Sequence, residues 1–291
     1  MSKTFQKKIE ENYQQLSKGH KRIADYIKNN YEKAAFMTAV KLGEATGVSE
    51  STVVRFASNL GYKGYPGLQK ALQETVRSQL NSVQRMAVTA GRVGEGDMVD
   101  NALSADMEMI KATRESVSRE AFAGSVEAIN KAEKIFILGA RSAASLANFA
   151  AFYMNFVYDN VTLVDTSGTG EMFDKLYRIT NRDVCIAISF PRYSNQTLEA
   201  LRFAAERDAS IISLTDSETS PIAQYATYLL TAKSNMLSFV DSLVAPLSLL
   251  NALIAEAARE KSDRVYKNLI TLENIWQEYG VYRTDSGEET P

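Results

Sequence analysis

Residues 38–66 read TAVKLGEATGVSESTVVRFASNLGYKGYP, and their spacing predicts two short helices joined by a tight turn. Thr38 stands where an N-cap belongs, and Val40, Leu42 and Ala45 supply apolar packing for the first helix. Gly47 follows where a helix needs a left-handed stop, a backbone conformation that glycine reaches without steric cost. Val48 fills the corner, and Ser49 is the next N-cap, its hydroxyl able to accept an orphan backbone N–H. Beyond it Val53, Phe56, Ala57 and Leu60 recur at i, i+3, i+4 and i+7, a stripe that faces a core. The opposite face carries Ser51, Thr52, Arg55, Ser58 and Asn59, and Gly61 ends the helix.

A short helix, a glycine turn and a second helix with a small polar outer face fit a helix-turn-helix. The second helix of such a unit enters a DNA major groove with its N-terminal residues nearest the base edges. Arg55 suits a bidentate contact to guanine, and Ser51 and Thr52 are permissive groove contacts. The alternative is an ordinary surface helix with a solvated polar face, because such helix pairs also occur without DNA. Charge separates the two readings. Residues 1–77 hold thirteen Lys/Arg against seven Asp/Glu, a net of +6, whereas the remainder holds 20 against 28, a net of −8. A basic first module on an acidic body points to an anionic partner for the first part alone.

The 291 residues suggest about two domains, and 45% hydrophobic with 23% charged residues is the composition of an ordinary globular protein. The charged N-terminus carries no signal-peptide pattern, and no apolar run is long enough to span a bilayer. One cysteine, Cys185, excludes an intramolecular disulfide framework, so a reducing cytoplasm is expected. A single histidine and a single cysteine argue against a zinc site, and no cofactor motif is present. His20, at the start of a predicted helix over 18–30, is expected to be exposed or capping.

After the glycine turn at 61, Lys63 and Tyr65 are placed to hold phosphate oxygens beside the recognition helix, although Tyr65 could instead pack under the next helix. The pattern over 68–86 predicts one continuous helix, and the small-residue stretch 88–96 a hinge. A body of alternating strands and helices follows, with strands at 134–139, 161–164, 184–189, 210–215 and 228–231. Ser220 and Pro221 predict a helix start, and a long apolar helix is expected over about 238–259. Apolar strands alternating with helices mean a parallel sheet covered on both faces.

Ligands of such sheets bind beyond the carboxyl ends of the strands. After strand one comes GARSAAS (139–145), after strand two DTSGTG (165–170), and after strand three SFPRYSNQT (189–197). Ser142, Ser194 and Thr197 open helices there, where hydroxyls and free backbone N–H groups bind anions without metal. Arg141 and Arg192 add positive charge at two of these ends. The implied ligand is small, phosphorylated and hydroxyl-rich. Taken singly, each of these hydroxyls could be merely an N-cap. The GARS turn lacks the G-x-G-x-x-G spacing of a dinucleotide site.

Over essentially its whole length the chain resembles the RpiR/MurR-type bacterial transcription regulators. The resemblance rests on GVSESTVVRFASNLGYKGY (47–65), LGARS (138–142), SFPRYS (189–194) and LTDSETSPIA (214–223). It implies an all-α N-terminal helix-turn-helix domain at 1–77 and a helical linker at 78–120. A sugar isomerase (SIS) domain then occupies 121–265, a five-stranded parallel, flavodoxin-like α/β sandwich, with a C-terminal helix and tail at 266–291. It also implies that Ser142, Ser189, Ser194 and Thr197 line a phosphosugar site. The common SIS loop S-x-S-G-x-T is replaced here by SFPRYSNQT, which has lost the glycine and gained Pro191 and Arg192.

A phosphosugar isomerase needs a base beside the carbonyl and an acid to open the ring. The body contains no histidine, and Glu171, a candidate base near the pocket, has no evident partner. The expectation is therefore a phosphosugar-sensing regulator that is not an enzyme. It would act as a homodimer or homotetramer on a double-stranded DNA operator, away from membranes.

Overall fold

The computed structural model describes residues 8–9, 11–77, 81–90, 97–166, 168–234, 236 and 239–283. The chain divides into two compact units, 1–96 with 236–240, and 97–235 with 241–291. The first unit is helical: α1 (Lys18–Asn29), α2 (Tyr31–Ala34), α3 (Ala39–Thr46), α4 (Glu50–Asn59), α5 (Gly64–Arg77) and α6 (Ser82–Ala90). Local chemistry sets the helix starts. Ser17, Thr38 and Ser49 each accept a backbone N–H three residues on, from His20, Lys41 and Thr52. Gly47 ends α3 at φ 63°, ψ 41°. Gly43 lets the turn close, because a Cβ there would lie 2.7 Å from the Val48 carbonyl oxygen. Ile23, Ile27, Leu42, Val53, Phe56 and Leu68 are fully buried between the helices, each worth about 1.5–3 kcal/mol of transfer free energy.

The continuous helix expected over 68–86 is instead two helices, α5 and α6. Asn81 and Gln84 exchange backbone-to-side-chain hydrogen bonds of 2.9 Å, a capping-box arrangement that starts α6 anew. Of the expected hinge, 88–90 belong to α6 and 91–96 lie outside the described residues. Ser167, the expected helix start at Ser238 and the polar tail from 284 also lie outside them.

In the second unit α7 (Met98–Ser116) and α8 (Arg119–Lys131) precede β1 (Ile135–Gly139), α9 (Ala143–Met154), β2 (Val161–Leu163) and α10 (Thr169–Leu176). The chain continues through β3 (Val184–Ile188), α11 (Asn195–Ala205), β4 (Ser210–Thr215), β5 (Tyr228–Thr231), α12 (Val244–Glu260) and α13 (Ser262–Glu278). The sheet order is β2-β1-β3-β4-β5, parallel throughout, a flavodoxin-like doubly wound sheet. Strand residues alternate between two cores. Ile137, Ile186 and Ile212 meet α8, α9 and α12, while Leu138, Cys185 and Ile211 meet α10 and α11. Cys185 is a free, buried thiol, and burial pushes its pKa up to about 12.

The helix expected to start at Ser220–Pro221 is replaced by a single 3-10 turn at Ala223–Tyr225. The Ser213 hydroxyl on β4 donates to the Ile222 carbonyl at 3.2 Å, which ties that segment to the sheet. Among the described residues no helix is long and apolar enough to cross a membrane.

Candidate nucleic-acid interface and strand-end site

The outer face of α4 is a connected polar surface. Ser49 Oγ lies 2.9 Å from both Ser51 Oγ and Thr52 Oγ1. Arg55 Nε donates to the Ser51 carbonyl at 3.3 Å, and Ser58 Oγ to the Val54 carbonyl at 3.3 Å. Arg55, Ser58, Asn59 and Lys63 are exposed. A groove of about 510 Å³ runs beside this face, with Ser49, Thr52, Arg55 and Asn59 on one wall and Ser17 and Arg22 on the other. Arg22 was not singled out by the sequence reading. Its Nη2 donates to the Gly47 carbonyl at 2.9 Å, holding the turn from the far side.

Two expectations are corrected here. Tyr65 is not on the outer face with Lys63. It is 5% exposed, its hydroxyl donates to the Met37 carbonyl at 2.7 Å, and burial pushes its pKa to about 12. The hydroxyl is thus spent inside the unit. His20 is not at the surface either. It is 8% exposed, packed edge-on to Phe56 at 5.6 Å between ring centroids.

In the second unit the expected residues leave neighbouring strand ends. Gly139 of β1 pairs in register with Ile188 of β3, so Ala140–Ser142 and Ser189–Ser194 emerge side by side. Gly139 has a steric reason: a Cβ there would lie 2.5 Å from the Ala143 carbonyl oxygen. Both loops carry an arginine in the left-handed region, Arg141 at φ 60° and Arg192 at φ 69°. Such a conformation costs a non-glycine residue roughly 1–2 kcal/mol, so something else holds each loop in it. Around the second loop, Tyr193 donates to Asp216 Oδ1 at 2.7 Å and Thr215 donates to the same oxygen at 3.2 Å, tying the loop after β3 to that after β4.

Ser142 and Ser194 stand at the N-cap positions of α9 and α11 without bonding their helices through their side chains. Arg141 and Ser142 are exposed, and Ser189 is buried. Thr197, in the first turn of α11, is 0% exposed and its Oγ1 has no hydrogen-bond partner. Unpaired buried hydroxyls are uncommon and call for a reason. Glu171, in the first turn of α10 after β2, folds back toward Gly168, where an added Cβ would collide with its carboxylate.

The molecule is thus a helix-turn-helix unit joined in one chain to a doubly wound parallel sheet with polar strand-end loops. A family model described as a helix-turn-helix domain of the rpiR family matches residues 3–79, and a SIS domain model matches 128–256. The HTH-type transcriptional regulator HexR of Escherichia coli is 28% identical over 229 residues, 77% of this chain and 76% of that one. The sugar isomerase domain of an RpiR transcription factor from Sphaerobacter thermophilus superposes with a TM-score of 0.59 at 27% identity, covering 62% of this chain and 99% of that one. The NanR protein of Vibrio vulnificus, solved in complex with ManNAc-6P, superposes with a TM-score of 0.58 at 24% identity over 92% of this chain and 97% of that one. The chain belongs to the RpiR family of HTH-type transcriptional regulators that carry a SIS domain.

Proposed function

We propose that this regulator binds a phosphorylated sugar at the ends of β1 and β3 and that the ligand changes its affinity for a DNA operator. The carrying observation is Thr197, whose fully buried hydroxyl has no protein partner at the start of α11. It lies in the same first turn that Ser194 opens, beside the strand end that bears Ser142. A phosphate accepting from these hydroxyls and from the α9 and α11 backbone N–H groups would fit helix-terminus anion binding. Ser189, Arg141 and Arg192 complete this proposed site, and Glu171 borders it. NanR, solved with ManNAc-6P, offers a ligand of this chemistry on the same fold.

On the DNA side, Ser49, Ser51, Thr52, Arg55, Ser58 and Asn59 of the α4 segment face the groove, with Lys63 on a phosphate. One short helix reads too few bases for useful specificity, so a homodimer on a two-fold operator is the assembly proposed. The working compartment is the cytoplasm. Turnover is not part of the proposal, because the sheet unit has no histidine and Glu171 has no acid/base partner evident in the sequence.

A thermal-shift screen of aldose and ketose phosphates tests the reading. A ligand at a hundred times its Kd raises the melting temperature by about 5–10 °C. A panel that leaves it unchanged would count against a phosphosugar effector. Steady deuterium incorporation beside the ligand's carbonyl, abolished by Glu171→Gln, would instead make the protein an isomerase.

A further inference from the structure

The only histidine of the chain is buried against the helix proposed to read DNA. His20 is the third residue of α1, and three residues along one stripe of α4 surround it: Thr52, Phe56 and Asn59, at i, i+4 and i+7. The Asn59 Nδ2 lies 3.3 Å from His20 Nδ1. The ring meets Phe56 edge-on at 66°.

An apolar side chain would fill this space without the cost of burying ring nitrogens. The imidazole instead places Nδ1 against the Asn59 amide. A neutral imidazole has one donor and one acceptor nitrogen. In the tautomer that leaves Nδ1 unprotonated, Asn59 Nδ2 donates to it, so the amide's NH₂ end points to His20 and its carbonyl end is turned away. Burial and the nearby Arg55 guanidinium both favour the neutral ring. Asn59 itself is exposed on the groove wall. An asparagine reads a base through a fixed order of donor and acceptor, and an amide free to flip presents both orders.

We propose that His20 is the positioning residue of the DNA-reading surface: it holds the Asn59 amide in one orientation, so that base preference depends on an imidazole at this position. This rests on the DNA-binding reading of α4, and on no property of the strand-end site.

The test uses the full chain and duplexes that the wild type selects from a random pool, with an unrelated duplex of equal length as reference. His20→Leu and Asn59→Ala should each lose about tenfold on the selected duplex, within the range of one bidentate base contact. Both should stay within about twofold on the reference duplex, where phosphate contacts dominate. The double variant should be no weaker than the weaker single, since coupled residues are not additive. His20→Gln, which keeps an acceptor for the amide, should recover part of the loss. Selection repeated with His20→Leu should relax the same base pair as selection with Asn59→Ala.

The proposal is overturned if His20→Leu selects the wild-type sequence, or if its loss adds to that of Asn59→Ala. It is equally overturned if His20→Leu weakens both duplexes alike with a lowered melting temperature and His20→Gln recovers nothing. A wild-type chain that selects no duplex at all would overturn the DNA reading itself, and this inference with it.

Discussion

Ser49, Ser51, Thr52, Arg55 and Ser58 belong to one helix and its cap, while Ser142, Ser189, Arg192 and Thr197 sit where strands give way to helices. The first set is largely exposed, and its polar groups satisfy one another or the helix backbone. These bonds are exposed and cheap to exchange for contacts with a partner. The second set contains a buried hydroxyl with no partner, and its loops hold two arginines at positive φ. A surface for a large partner can wait in a self-satisfied state. On the proposed reading the strand-end site for a small ligand is built in advance, and the backbone bears the strain of it.

Deleting the support of the first region should have the largest effect. Phe56→Ala removes a ring that is fully buried beneath α4, and should cost about 3–5 kcal/mol in denaturant unfolding of the helical unit. A loss under about 1 kcal/mol would mean that α4 does not depend on that core. Next comes the outer face. Arg55→Ala should weaken operator binding by about 1–3 kcal/mol if its guanidinium leaves the Ser51 carbonyl for a guanine. Gel-shift titrations equal to wild type at every salt concentration would remove Arg55 from the interface.

Much of the first region was legible because its logic is local. The caps at Thr38 and Ser49, the left-handed Gly47 and the Val53–Phe56–Ala57 stripe each follow from residues within a turn of one another. His20 was misjudged, and the choice between the two readings of Tyr65 was left open, because their surroundings come from far along the chain. The carbonyl that takes the Tyr65 hydroxyl is 28 residues away, and Asn59 is 39 residues from His20. In the second region the alternation of strands and helices conveyed a parallel sheet, and the register of β1 with β3 then brought Gly139 level with Ile188. The left-handed Arg141 and Arg192 carry no composition signal, since glycine is what such a position ordinarily selects. Neither does the Tyr193–Asp216 bond, which ties two loops that are separate in sequence.

The strain itself can be probed. Arg192→Gly relieves the positive φ, and should raise stability by up to about 1 kcal/mol while weakening effector binding. A destabilised variant would show that the arginine side chain, not the loop backbone, holds that conformation. The smallest effect concerns pH. His20 has its pKa lowered from 6.5, first by burial and then by Arg55. Its contribution to stability is therefore complete above 6.5 and is lost as pH falls through the folded-state value. The stability difference between wild type and His20→Gln should shrink between pH 7 and pH 5, and a difference that stays constant would mean that the imidazole does not titrate there.

The central claim is that the strand-end hydroxyls couple a phosphosugar to DNA. Its most direct test is fluorescence-anisotropy titration of a wild-type-selected duplex, with and without the phosphosugar that raises the melting temperature. Wild type, Ser142→Ala and Thr197→Val are compared. The account predicts that the ligand changes wild-type DNA affinity by about 1–3 kcal/mol, a typical coupling between sites. Both variants should lose that response and keep ligand-free DNA affinity, Thr197→Val gaining about 1 kcal/mol of stability because its buried hydroxyl has no partner. Variants that bind DNA and phosphosugar as the wild type does, with the coupling intact, would contradict it.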